Sequence, residues 1–106
     1  MEDLKTLKEI QDKVDNWIQN HGGYWPPLSI LSAIMEEVGE LAREINFLEG
    51  YKPKKDSEKK KTNLGEELAD LIFSVICLAN YYNIDLTDKI EIILDKYSKR
   101  DGSRFK

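Results

Sequence analysis

Two short acidic motifs, Glu37-x-x-Glu40 and Glu67-x-x-Asp70, are the residues of this 106-residue chain best suited to chemistry. On a helix, an i, i+3 spacing brings both members of a pair to one side. At about 100° per residue, Glu40 and Glu44 fall within about 60° of Glu37, and Ile30, Ala33, Ile34 and Leu41 share that arc. Ser32, Gly39, Arg43 and Asn46 hold the opposite side. Glu37, Glu40 and Glu44 therefore lie on an apolar stripe, with Glu36 at its edge. Glu67 and Asp70 repeat the pattern beside Leu64, Leu71, Ser74 and Leu78.

A carboxylate withdrawn from water is costly, and neighbouring carboxylates push one another toward protonation. Two compensations exist: lysine or arginine from a facing helix, or a cation. Two matched pairs on apolar faces favour the cation. An all-oxygen donor set suits a hard ion such as Mg²⁺, with Mn²⁺ as a substitute, and Mg²⁺ often binds together with substrate phosphates. A di-iron site in a helix bundle would add Glu-x-x-His. The one histidine, His21, lies beside Gly22-Gly23 and reads as a surface residue.

The elements that must position these acids are helical throughout, so the expected class is all-α, a four-helix bundle-like protomer. Leu4, Leu7, Ile10, Val14, Trp17 and Ile18 recur at helical steps and predict a first helix over roughly residues 3–20, with Trp17 in its core stripe. Glycine at 22 and 23 stops it. Pro26 and Pro27 impose an extended approach, so the second helix is expected from about Ser29 to Leu48, ending at Gly50. Residues 51–61, rich in lysine, read as a loop. The third helix opens at Asn63, with Glu66 completing a capping-box-like start, and runs to about Tyr82. Residues 83–85 form a turn before a fourth helix over roughly 86–99. Helix three is apolar almost all round and needs a second partner, either helix one or another subunit.

Other residues could serve a polyphosphate. Lys89, Ile93, Lys96 and Arg100 share one face of helix four, and Lys96 and Arg100 could hold phosphate oxygens if that face borders the acids. A basic last turn favoured by the helix dipole is the plainer account. Lys52, Lys54 and Lys55 of the loop could close over a polyphosphate. Tyr24, Trp25 and Phe47, near helix ends, could stack on a base.

Composition sets outer bounds. One domain spanning residues 1–106 has a modest core, which self-association would supplement. A net charge of −4 and a pI near 5.0 argue against a nucleic-acid polymer as partner. A single cysteine, Cys77, in an apolar run reads as a buried thiol. No signal peptide or membrane-length apolar run is evident, so a cytoplasmic protein with no membrane partner is expected.

The ordered set Glu36-Glu37-Val38-Gly39-Glu40, a gap of 26 residues, then Glu67-Leu68-Ala69-Asp70 resembles the EExxE…ExxD pattern of the MazG family of all-α nucleoside triphosphate pyrophosphohydrolases. The likeness is to its short, single-domain, YpjD-like branch. The flanking text "EEVGELAREIN", "YKPKK", "EELADLIFSVICLAN" and "KYSKRD" extends it over nearly the whole chain, with Ala69 where the family often has glycine. The resemblance implies Mg²⁺-dependent hydrolysis of the α–β bond of a nucleoside triphosphate, giving NMP and pyrophosphate. It implies a homodimer or a dimer of dimers, a homotetramer. It gives Glu37, Glu40, Glu67 and Asp70 metal-ligand roles and Glu36 or Glu37 a role toward water. Lys52, Lys54, Lys55, Lys96 and Arg100 are implied as phosphate-binding. Alternatives left open are a non-catalytic helical interaction module with interhelical ion pairs, and a related hydrolase of dUTP/dCTP type or of a phosphoribosyl-nucleotide.

Overall fold

A computed structural model describes residues 6–50 and 64–101. They form four α-helices, α1 (Leu7–Gln19), α2 (Pro27–Leu48), α3 (Leu64–Tyr81) and α4 (Leu86–Asp101), with no strand among the described residues. The all-α expectation holds. The expected start of helix one near residue 3, and the Asn63 cap of helix three, lie outside the described residues.

Local chemistry sets the helix ends. Thr6 is extended, and its hydroxyl accepts from the Glu9 amide at 3.1 Å while donating to the Glu9 carboxylate at 3.2 Å, so α1 opens on a threonine N-cap. Its end is turned by left-handed Gly22 and Gly23, with the Gly23 amide donating back to the Ile18 carbonyl at 2.9 Å. α2 begins at Pro27, two residues earlier than expected. Pro27 occupies the first helical position, where an N–H would have no partner anyway and the ring presets φ. Asn83, at φ 56°, closes α3, and the Ile84 amide donates to the Ala79 carbonyl at 2.9 Å. The Asp85 carboxylate then caps α4, accepting from the Thr87 amide at 2.9 Å.

The chain divides into two compact units, one of residues 1–24 and 79–106, the other of residues 25–78. The first packs α1 on α4 and on the last turn of α3 around Gln11, which is 1% exposed. The Gln11 amide nitrogen donates to Asn80 Oδ1 at 3.0 Å and to the Ile84 carbonyl at 2.8 Å. Its oxygen accepts from the Leu86 amide at 2.9 Å, and Asn80 Nδ2 donates to the Gln11 carbonyl at 2.9 Å. Beside this cluster lies a groove of about 240 Å³ lined by Lys8, Asp12, Asp15, Asn80 and Asp85. Its charges are engaged: Lys8 pairs with Asp12 at 2.8 Å and Tyr24 donates to Asp15 at 2.6 Å.

Trp17 departs from its expected core role. It is half-exposed and stacks on His21 with ring centroids 4.1 Å apart, while His21 Nδ1 lies 2.6 Å from the Trp17 carbonyl oxygen. An aromatic ring one turn from the helix end finds its neighbour along the helix rather than across it.

The second unit is the α2–α3 pair that carries the acids. Its buried hydrophobic side chains are Ile30, Ile76 and Cys77. Burial pushes the Cys77 thiol above its ordinary value, so it is an inert packing group.

Candidate metal centre

The inward arc of α2 presents Glu37, and the inward arc of α3 presents Glu67 and Asp70. One carboxylate oxygen from each lies within 4.8 Å of the other two. Glu37 and Glu67 are half-buried, and Asp70 opens to solvent. Oε2 of Glu37 and Oε2 of Glu67 are cut off from water without a hydrogen-bond partner. Buried polar atoms are ordinarily satisfied, so two orphaned oxygens in one cluster require an explanation.

The electrostatics agree. Withdrawal from solvent, followed by the charges of Glu40, Asp70 and Glu67, raises the Glu37 carboxyl above its ordinary value, and its approach to the Glu67 carboxyl adds to the rise. Ionised carboxylates only accept, so they cannot satisfy one another. A proton or a cation can. Three hard oxygen donors at this spacing fit a divalent ion of the Mg²⁺ or Mn²⁺ kind, and the two orphaned oxygens are what such an ion would engage.

The other sequence-designated residues are distributed as follows. Glu40 is exposed and stands outside the three-residue group, although near enough for its charge to act on Glu37. Glu36 is exposed, and Glu44 is half-buried with interactions of its own. Phe47, at the end of α2, lies under the Arg43 guanidinium at 5.6 Å. Trp25 is largely exposed, and the Tyr24 hydroxyl is engaged by Asp15. Lys96 is exposed on α4, and Arg100 lies 4.9 Å over the Tyr97 ring. Lys52, Lys54 and Lys55 lie outside the described residues. Gln11 was not among the residues singled out, although its place between Leu7 and Val14 on the apolar stripe of α1 is a signal of burial.

With the geometry established, comparison with known proteins decides the family. Residues 26–105 match the MazG nucleotide pyrophosphohydrolase domain. The chain belongs to the MazG family. Among its relatives, uncharacterised YpjD of Bacillus subtilis is 42% identical over 102 residues, covering 95% of this chain and 91% of YpjD. Uncharacterised YvdC of the same organism is 30% identical over 101 residues, covering 91% and 90%. A crystal structure of B. subtilis YpjD, described as that of a candidate pyrophosphatase, superposes with a TM-score of 0.79 at 41% identity, covering 95% of this chain and all of that one. A Bacillus-conserved MazG protein, described as a nucleotide pyrophosphohydrolase, gives a TM-score of 0.74 at 37% identity, covering 91% and 92%. Among the described residues of this MazG chain, no helix is long and apolar enough to cross a membrane.

Proposed function

We propose that this MazG protein is a Mg²⁺-dependent nucleoside triphosphate pyrophosphohydrolase, cleaving the α–β bond to give NMP and pyrophosphate. The observation that carries the reading is the pair of buried, unpartnered carboxylate oxygens on Glu37 and Glu67, gathered with Asp70. Glu37, Glu67 and Asp70 hold the ion, with Glu40 as the fourth donor. When bound, such an ion neutralises phosphate charge and lowers the pKa of water.

The chain's own groups do the rest in this reading. Glu36 or Glu37 accepts the proton of the attacking water. Lys96 and Arg100, with Lys52, Lys54 and Lys55, hold phosphate oxygens and the departing pyrophosphate. Tyr24, Trp25 and Phe47 offer ring faces to a base. Positioning and charge stabilisation carry most of the rate, as in phosphoryl transfer generally. The chain acts in the cytoplasm as a homodimer or homotetramer. Supporting that assembly, twenty large hydrophobic side chains are exposed among the described residues, against four buried hydrophobic ones.

The test is a panel of standard, deoxy and damaged nucleoside triphosphates incubated with Mg²⁺, the products being resolved by chromatography. NMP with pyrophosphate supports the reading. NDP with phosphate refutes the bond assigned, and no turnover of any nucleotide refutes the enzyme.

A further inference from the structure

The candidate metal centre consists of acceptors, and its reading as an ion site leaves open what steadies the carboxylates around the ion. Carboxylates that bind a metal are themselves hydrogen-bonded, as a rule, by a donor behind them. The arcs that carry these acids are poor in donors. Around Glu37, α2 offers Ile30, Ile34 and Leu41, and the further acceptors Glu40 and Glu44. Around Glu67 and Asp70, α3 offers Leu64, Leu71 and Leu78. Backbone amides there are engaged within the helices. Among the described residues of the two arcs, within about two turns of the acids, Ser74 is the one side chain with a hydrogen to donate.

We infer that Ser74 is a positioning residue for Asp70, its hydroxyl donating to the Asp70 carboxylate when a divalent ion occupies the cluster. Three observations select it. First, its place is right. On the helical wheel Ser74 lies about 20° from Glu67 and about 40° from Asp70. A helical side chain leans toward the N-terminus and covers the turn before its own. Ser74 follows Asp70 by four residues, so the turn it covers is the one that carries Asp70. Second, its hydroxyl is uncommitted. Ser32, an exposed serine of α2, bonds back to the Leu28 carbonyl at 3.0 Å, a common resting place for a helical serine. Ser74 makes no such bond among the described residues. Third, serine is a poorer helix former than alanine, and Ser74 is half-buried on an otherwise apolar arc. Packing alone gives no reason for a hydroxyl there, and a ligand that must be steadied does. Asp70 is that ligand, because Glu37 and Glu67 are half-buried while Asp70 opens to solvent.

The inference rests on the reading of Glu37, Glu67 and Asp70 as an ion site and adds a residue to it. The test titrates Mn²⁺ alone into the nucleotide-free full chain and follows free Mn²⁺ by electron paramagnetic resonance, for wild type, Ser74→Ala and Ser74→Thr. Ser74→Ala is expected to weaken Mn²⁺ binding by about tenfold or more, the usual cost of removing a partner of a metal ligand. Its metal-free melting temperature is expected to equal or exceed that of wild type, since alanine is the better helix former. Ser74→Thr keeps the hydroxyl and is expected to bind Mn²⁺ close to wild type. If Ser74→Ala binds Mn²⁺ as tightly as wild type, the role of Ser74 is overturned and the ion site stands. If wild type itself leaves Mn²⁺ free, the ion site and the role of Ser74 fall together. Equal weakening in Ser74→Ala and Ser74→Thr overturns the hydroxyl as the cause. Weakening that comes with a lower metal-free melting temperature overturns it too, since a residue that only supports the fold would behave in that way.

Discussion

Gln11 and Glu37 are both polar side chains set on apolar helix faces, and their hydrogen bonding is opposite in kind. The Gln11 amide donates twice and accepts once, and Asn80 returns a bond to its backbone carbonyl. Glu37 and Glu67 meet with buried oxygens that nothing satisfies. An amide carries donors and an acceptor and can close a network from within the chain. Ionised carboxylates carry acceptors alone, and a cluster of them is completed only from outside. The first cluster fastens helices together. The second awaits something positively charged.

The largest expected effect tests that contrast on activity. Glu67→Gln, Glu37→Gln and Asp70→Asn should each lower kcat/KM for nucleotide hydrolysis by more than about a hundredfold, beyond the loss seen for residues that merely orient metal ligands. Steady-state rates at saturating Mg²⁺ measure this. The same Glu37→Gln change should raise the melting temperature of the metal-free protein, because an amide can donate where two carboxylates clash. Activity retained in both Glu37→Gln and Asp70→Asn would remove the site.

Gln11→Ala should do the reverse. It orphans Asn80 Oδ1, the Ile84 carbonyl and the Leu86 amide in a buried place, and should cost at least about 3 kcal/mol in urea unfolding, at about 1–3 for each of these three unmet groups. A cost below about 0.5 kcal/mol, the scale of an ordinary surface change, would break the comparison.

The acid cluster should also respond to its missing charge. Mg²⁺ or Mn²⁺ at a hundredfold excess over Kd should stabilise the wild type by about 2.7 kcal/mol and leave Glu67→Gln unmoved. The effect should depend on pH. The Glu37 carboxyl titrates higher in the fold than in the unfolded chain. Without metal, the stability from its bound proton is present below the unfolded value and is lost as pH rises through the raised one. Metal needs the deprotonated group, so the metal-induced shift should grow across that same window. Glu37→Gln should flatten both slopes in melts taken from acid to neutral pH.

How much of this was legible in advance follows the same division. The carboxylates could be seen because acids at helical spacing inside an apolar stripe conflict with ordinary burial. Their separation could not: Glu40 lies about 60° round the wheel from Glu37, and only the actual rotation of α2 leaves it exposed. Trp17 matched the apolar period of α1 yet stacks on His21 at the surface, since a period shows a face and not what covers it. Gln11 shares the apolar stripe of Leu7, Val14 and Ile18, but its partners Asn80, Ile84 and Leu86 lie far away in the chain, so the network that satisfies it could not be read from α1. Pro27 moved a helix start that a rule barring proline from helices had placed two residues late.

The smallest effect sharpens the comparison from the satisfied side. Asp85 is a carboxylate like Glu37, but its Oδ1 accepts from the amides of Thr87 and Asp88 at 2.9 and 3.4 Å. It therefore needs no cation, and it holds the first turn of α4 next to the Gln11 cluster. Asp85→Ala should cost about 1 kcal/mol, the usual worth of a helix cap, while Asp85→Asn or Asp85→Ser should keep most of it. None of these changes should alter the Mg²⁺-induced shift in melting temperature. If Asp85→Ala abolished that shift, a capped acid would be behaving like an uncapped one, and hydrogen-bond satisfaction would no longer separate the structural carboxylates from those that bind an ion.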